Sequence, residues 1–125
     1  MNLLLVVAGG GLGAGARYLL GTWVQGMVGP GSPWGTFLVN VTGAFIIGMV
    51  LALVEAGTLS GQTRLFLAVG VLGGYTTFST LSYDTIQLIL ESEIPAALLN
   101  SFGQVAVGLL AAWLGIASVR VLEMI

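Results

Sequence analysis

Residues 70–82 read GVLGGYTTFSTLS. They place a glycine pair and five Ser/Thr hydroxyls inside a stretch long and apolar enough to cross a bilayer. In hydrocarbon, broken helix and polar side chains survive only where protein buries them or where they line a wet cavity. Such a segment therefore constrains the chain to a bundle with a polar interior and marks a candidate ion or substrate site.

The rest of the sequence agrees with a membrane setting. Of 125 residues, 57% are hydrophobic and 6% are charged, too little charge for a water-soluble domain. At about 20 residues per span the length allows four spans with short loops, one domain over 1–125. A net charge of −2 gives no reason to expect nucleic acid as a partner. With no cysteine there is no disulfide or thiolate metal site, and with no histidine the commonest metal ligand and proton relay are missing. The apolar N-terminus lacks a basic leader and carries recurrent glycines, so it reads as the first span rather than a signal peptide.

The expected architecture is an all-α integral membrane protein with four transmembrane helices, over about 3–23, 34–54, 65–90 and 96–119. The third is expected to break in mid-membrane around Gly73-Gly74-Tyr75-Thr76-Thr77, where glycine and β-branched residues weaken helix. Loops are expected at 26–33, 55–64 and 91–95, with Pro95 opening the last helix. In span 1, Gly9 with Gly13 and Gly11 with Gly15 have the four-residue spacing that lets helix backbones approach. Trp23, Trp34 and Trp113 read as interfacial anchors.

Four spans put both termini on one side, with Arg64 and Arg120; Arg17 lies nearer the other. Two cations against one, and no lysine, give almost no orienting signal. Such a chain can insert both ways up, and two opposed copies can pair as an antiparallel dual-topology homodimer, an inverted repeat made from two chains.

Several polar side chains lie at bilayer depth. The Asn40 amide either lines a polar path or glues spans together. Thr36 lies one turn earlier on the same face. Asn100 and Gln104 form a second four-residue pair, extended by the bare Gly108. Phe78, Ser82 and Thr85 share one face of span 3, and Ser79 adds another hydroxyl; a ring edge carries partial positive charge and can face an anion. Facing stripes of this kind suit a small anion better than a cation. Arg17 and Asp84 are the charges within spans, as an anion vestibule or as a snorkelling or paired structural group.

Three pieces resemble the Fluc/CrcB fluoride channels of bacteria: GLGAGARY in span 1, PWGTFLVNVTGAFIIG entering span 2 and RLFLAVGVLGGYTTFST in span 3. The resemblance runs over essentially the whole chain and implies a channel, not an enzyme. It implies passive fluoride export across the bacterial inner membrane through two narrow pores in an antiparallel dimer. It also implies a Na⁺ at the dimer interface, held by the backbone carbonyls of Gly73 and Thr76. Carried over, Asn40 points its amide at fluoride, Phe78 is the first phenylalanine of an aromatic box, Thr36 joins the polar lining and Arg17 the vestibule. Ser79, Ser82, Asn100 and Gln104 complete the expected pore set. Leu81 stands where the family has a second phenylalanine, and Asn100, Gln104 and Gly108 stand where it has tyrosine or small hydroxyl residues. Two other readings compete. A small multidrug or guanidinium transporter needs a membrane-buried carboxylate, and no acid precedes Glu55. One subunit of a heterodimeric fluoride channel is the other.

Overall fold

Long apolar segments that cannot hydrogen-bond to lipid must close their backbone bonds internally, and helices do this within one segment. The computed structural model describes residues 1–125 and contains helices and turns with no strand. Helix α1 is Asn2–Val28, α2 is Trp34–Glu55, α3 covers residues 61–75, α4 is Phe78–Leu90 and α5 covers Ile94–Met124. α3 and α4 together make the third of four segments long and apolar enough to cross a membrane.

Boundaries differ from the sequence expectation where local chemistry extends a helix. α1 runs to Val28, so the first turn is only 29–33, with Gly29 and Gly31 at φ of 102° and 78°. The second turn is 56–60 rather than 55–64. Ser60 accepts a 3.1 Å bond from the Thr63 N–H and starts α3 at Gly61. Pro95 is the second residue of α5, not the first.

The helices pair through small residues. α1 lies against α3, and α2 against α5. A Cβ on Gly13 would run into the Val71 carbonyl, and one on Gly74 into the Gly10 backbone. Gly48 likewise meets the Ala112 carbonyl, and Gly115 that of Phe45. Gly11 and Gly15, expected to serve the same purpose, have open space around them. The largest fully buried side chains are only Val24 and Val39, while most leucines and the tryptophans Trp23, Trp34 and Trp113 are exposed or partly exposed. This bundle is held by backbone proximity and dispersion rather than by a large apolar core, as expected where the solvent is itself apolar.

Two stretches, Leu65–Leu72 and Leu99–Gly103, are wound as wide π turns. The break lies between α3 and α4. Thr76 (φ −82°, ψ 154°) and Thr77 (φ −149°, ψ 118°) are extended. Gly73, Gly74 and Tyr75, where the break was expected to begin, are still helical. The consequence is a change of neighbour: α3 packs on α1, whereas α4 packs on the first turns of α5.

This geometry separates glycines that are needed from glycines that are not. Gly13→Ala should destabilise the chain by about 1–3 kcal/mol through overpacking, whereas Gly15→Ala should be neutral or slightly stabilising through helix propensity. Thermal unfolding of both variants in the same detergent checks the contrast.

Candidate functional site

An extended residue between two helices exposes one N–H and one C=O. At Thr77 both are taken by a single side chain. Asn40 Oδ1 accepts from the Thr77 N–H at 2.8 Å, and Asn40 Nδ2 donates to the Thr77 carbonyl at 3.0 Å. The side-chain amide pairs with the peptide as a neighbouring strand would. Asn40 can do this because Gly43, one turn on, leaves room. A Cβ there would collide with the Thr76 methyl group and press on the Tyr75 ring. Tyr75 is tied to α2 as well, since its hydroxyl meets Thr42 Oγ1 at 2.8 Å. The Thr42 hydroxyl proton goes to its own helix at the Leu38 carbonyl (2.6 Å), so Tyr75 is the donor.

Thr77 also caps α4. Its Oγ1 accepts from the Thr80 N–H at 3.2 Å. Two carbonyls beside the break are left without helical partners through these bonds. The Thr77 N–H goes to Asn40 rather than to Gly73, and the Thr80 N–H goes to the Thr77 hydroxyl rather than to the carbonyl of Thr76. Gly73 is exposed on the surface of the single chain.

Two crevices meet at this break. One, of about 280 Å³, is lined by Arg17, Thr36, Val39, Thr77 and Thr80, among others. The Asp84 carboxylate lies beside the Thr36 hydroxyl. The second crevice, of about 330 Å³, is lined by Asn40, Thr76, Thr77, Phe78, Leu81 and Gln104, among others. Thr77 borders both, so the Asn40–Thr77 pair stands in the wall between them. Thr36 and Asn40, read from sequence as one stripe, therefore serve different crevices. Phe78 projects from the second crevice and is 79% exposed in the single chain.

Behind Asn40 runs a chain of side-chain bonds. Its second amide proton goes to Gln104 Oε1. Gln104 Nε2 donates to Asn100 Oδ1 at 3.3 Å, and Asn100 Nδ2 donates to Thr85 Oγ1 at 3.1 Å. The Thr85 hydroxyl ends the series on the Leu81 carbonyl at 2.8 Å. No buried side-chain polar atom lacks a partner.

The expected residues thus divide. Asn40, Phe78 and Gln104 come together at one crevice, and Thr36 and Arg17 at the other. Asn100 is buried behind Gln104 and forms the floor of a separate apolar groove with Trp34 and Phe37. Ser82 turns back onto the Phe78 carbonyl at 2.9 Å, and Ser79 meets Thr77 Oγ1 at 3.1 Å; neither borders these two crevices. Sequence reading passed over Thr77, the centre of the site. Its signal was present: an N-cap threonine followed three residues later by a second hydroxyl residue, at the start of a helical run.

The family model described as "CrcB-like protein, Camphor Resistance (CrcB)" matches residues 4–116. Among curated relatives, a "Fluoride-specific ion channel FluC" from one strain of Thermus thermophilus is 57% identical over 112 residues, 90% of this chain and 88% of that protein. The same-named protein of a second Thermus thermophilus strain is 55% identical, covering 90% of each chain. One from Trichlorobacter lovleyi is 44% identical over 95% of this chain and 94% of its own length.

Asn40→Ala removes three hydrogen bonds and leaves both backbone groups of Thr77 unsatisfied. It should cost about 3 kcal/mol of stability at roughly 1 kcal/mol per bond. Amide hydrogen exchange should accelerate first at Thr77, ahead of the rest of α4.

Proposed function

Because the chain belongs to the CrcB-like family, we propose that it forms a fluoride-selective channel that lets fluoride leave the cytoplasm passively. The close relatives that carry the name are ion channels, and no bond is made or broken. The observation that carries the reading is the break itself, where a crevice rich in polar side chains and a second of mixed lining share one wall at bilayer depth.

Fluoride is small and strongly hydrated, so a pore must replace its water with dense hydrogen-bond donors. Arg17 and Thr80 attract and begin to desolvate the anion in the first crevice, and Thr36 joins its polar lining with its hydroxyl on Asp84. The N-terminus of α4 lies at the shared wall, and the positive end of a helix favours negative charge. Beyond the wall, the ring edge of Phe78 and the Asn40 amide proton, once it is released from Gln104, take over. These donors are neutral dipoles, so each holds the ion weakly enough to release it. Chloride is larger, so a narrow path that fits fluoride disfavours it on size. Leu81 borders the same crevice with no positive ring edge, so Phe78 supplies the aromatic contact there alone.

The exposed Phe78 and the open side of its crevice support a second copy of this chain as the missing wall. An antiparallel homodimer with two pores provides it, and the near-absence of charge bias supports dual topology in the bacterial inner membrane. The Gly73 and Thr76 carbonyls, stripped of helical donors, fit half of an oxygen-donor set for Na⁺. The partner's equivalent carbonyls would supply the rest, and the ion would tie the two breaks together.

The test is fluoride efflux from liposomes holding the purified chain alone, followed with a fluoride electrode, with chloride measured in parallel. Rapid fluoride release without chloride release is the expected outcome. Asn40→Asp and Phe78→Ile should each lower fluoride flux at least about tenfold, the cost of roughly 1.4 kcal/mol at the barrier. Leu81→Phe should be tolerated, with a dimer of unchanged size. No fluoride release from folded protein would overturn the reading.

A further inference from the structure

The side-chain series behind Asn40 has a fixed direction. Thr77 offers a backbone N–H, which can only donate, and a carbonyl, which can only accept. Together they allow one orientation of the Asn40 amide. Its remaining proton must meet an acceptor, so Gln104 turns Oε1 toward it. Gln104 then has only donors left for Asn100, and Asn100 only donors for Thr85. One backbone residue at the break thereby orients two amides on α5. Both are nearly sealed from outside, Gln104 at 4% exposure and Asn100 at 6%.

The same series is satisfied with one other arrangement. If Gln104 turns over, Nε2 faces Asn40 Nδ2, and two donors confront each other. That is unfavourable unless an acceptor with no protons of its own lies between them. Oε1 of Gln104 then faces Asn100, which turns over to donate to it. Asn100 Oδ1 in turn faces Thr85, whose hydroxyl rotates from the Leu81 carbonyl to donate to it. No proton is transferred, and every side-chain amide keeps its partners. The crevice of about 330 Å³ that Asn40 and Gln104 both border is where the acceptor enters.

We propose that Gln104 is an anion-responsive donor: a monatomic anion entering between Asn40 and Gln104 reverses the polarity of the Gln104–Asn100–Thr85 series and is held by two side-chain amides at once. With the series in its present direction Gln104 gives its amide protons to Asn100 and turns its oxygen to Asn40, so it offers no donor toward Asn40. An anion shifts the pair of states only by binding the reversed one better, which two amide donors ensure. A network of this kind is worth more together than link by link. The inference rests on the fluoride reading above and goes beyond it by giving Gln104 a changing role.

Gln104→Met keeps the length of the side chain without charge or hydrogen bonds, and it separates two roles. If Gln104 only braces Asn40, the variant frees an amide proton, and the fluoride concentration at half-maximal flux falls or stays the same. If Gln104 turns over to donate, that concentration rises about tenfold, the factor for one lost buried hydrogen bond. Nitrogen-15 spectra of the unaltered chain with added fluoride give a second readout that needs no variant to fold. The side-chain signals of Asn40, Gln104 and Asn100 should move together and saturate together, and chloride should leave them in place. Fluoride moving Asn40 without Asn100, or an unchanged or lowered half-maximal concentration in Gln104→Met, overturns the proposal while leaving the channel intact. Absence of both flux and spectral change in the unaltered chain overturns the channel reading instead.

Discussion

The architecture hinges on one amide. A helix that stops at bilayer depth leaves backbone groups with no water to bind, and each would cost on the order of 1–3 kcal/mol unpaired. Asn40 removes that penalty at Thr77 by offering a donor and an acceptor in the spacing of a peptide. With that pair made, span 3 can end on α1 and begin again on α5. Without it, the extended residues would be more costly than a continuous helix. The two crevices exist because the chain changes direction there, and their common wall is the pair that permits the change.

Close approach of backbones is the second requirement, and it explains where the break falls. Gly73 and Gly74 have weak helix propensity, which taken alone places the break at the glycines. In the fold, Gly74 lies against the Gly10 backbone and Gly70 against Gly9. The missing side chains are used to seat α3 on α1, and the contact keeps those residues helical. The extended conformation moves to the next two residues, where Thr77 can cap α4 and Asn40 can reach.

What was legible in the sequence was what depends on period and composition. Four long apolar segments, a third one interrupted, and Asn100 with Gln104 on one face all follow from spacing. What was not legible depends on the direction of a side chain relative to a neighbour. Thr36 and Asn40 share a helical face, yet the Thr77 wall assigns them to separate crevices. Ser82 sits where a lining residue would, but a helical serine has a carbonyl four residues back, and its hydroxyl goes there. Gly11 and Gly15 repeat the spacing of Gly9 and Gly13 but fall on the other side of α1, away from α3. A one-dimensional pattern lists the residues on a face and leaves open what lies opposite.

The chemistry of the two crevices then differs in kind. Arg17, a fixed charge, borders the first, whereas the second is bordered by two amides, two threonines, a ring and aliphatic side chains such as Ile47 and Leu81, with no cation. A formal charge next to the break would stabilise a bound anion strongly at low dielectric, since two unit charges at 4 Å attract by about 4 kcal/mol even at an effective dielectric of 20. That well would be deep enough to slow release. Oriented neutral amides give less per contact and can be arranged more densely, and their direction is set by the backbone of Thr77 rather than by a counter-ion. The cation borders one crevice and the shared wall is left to dipoles, an arrangement that suits weak, exchangeable anion contact better than tight binding.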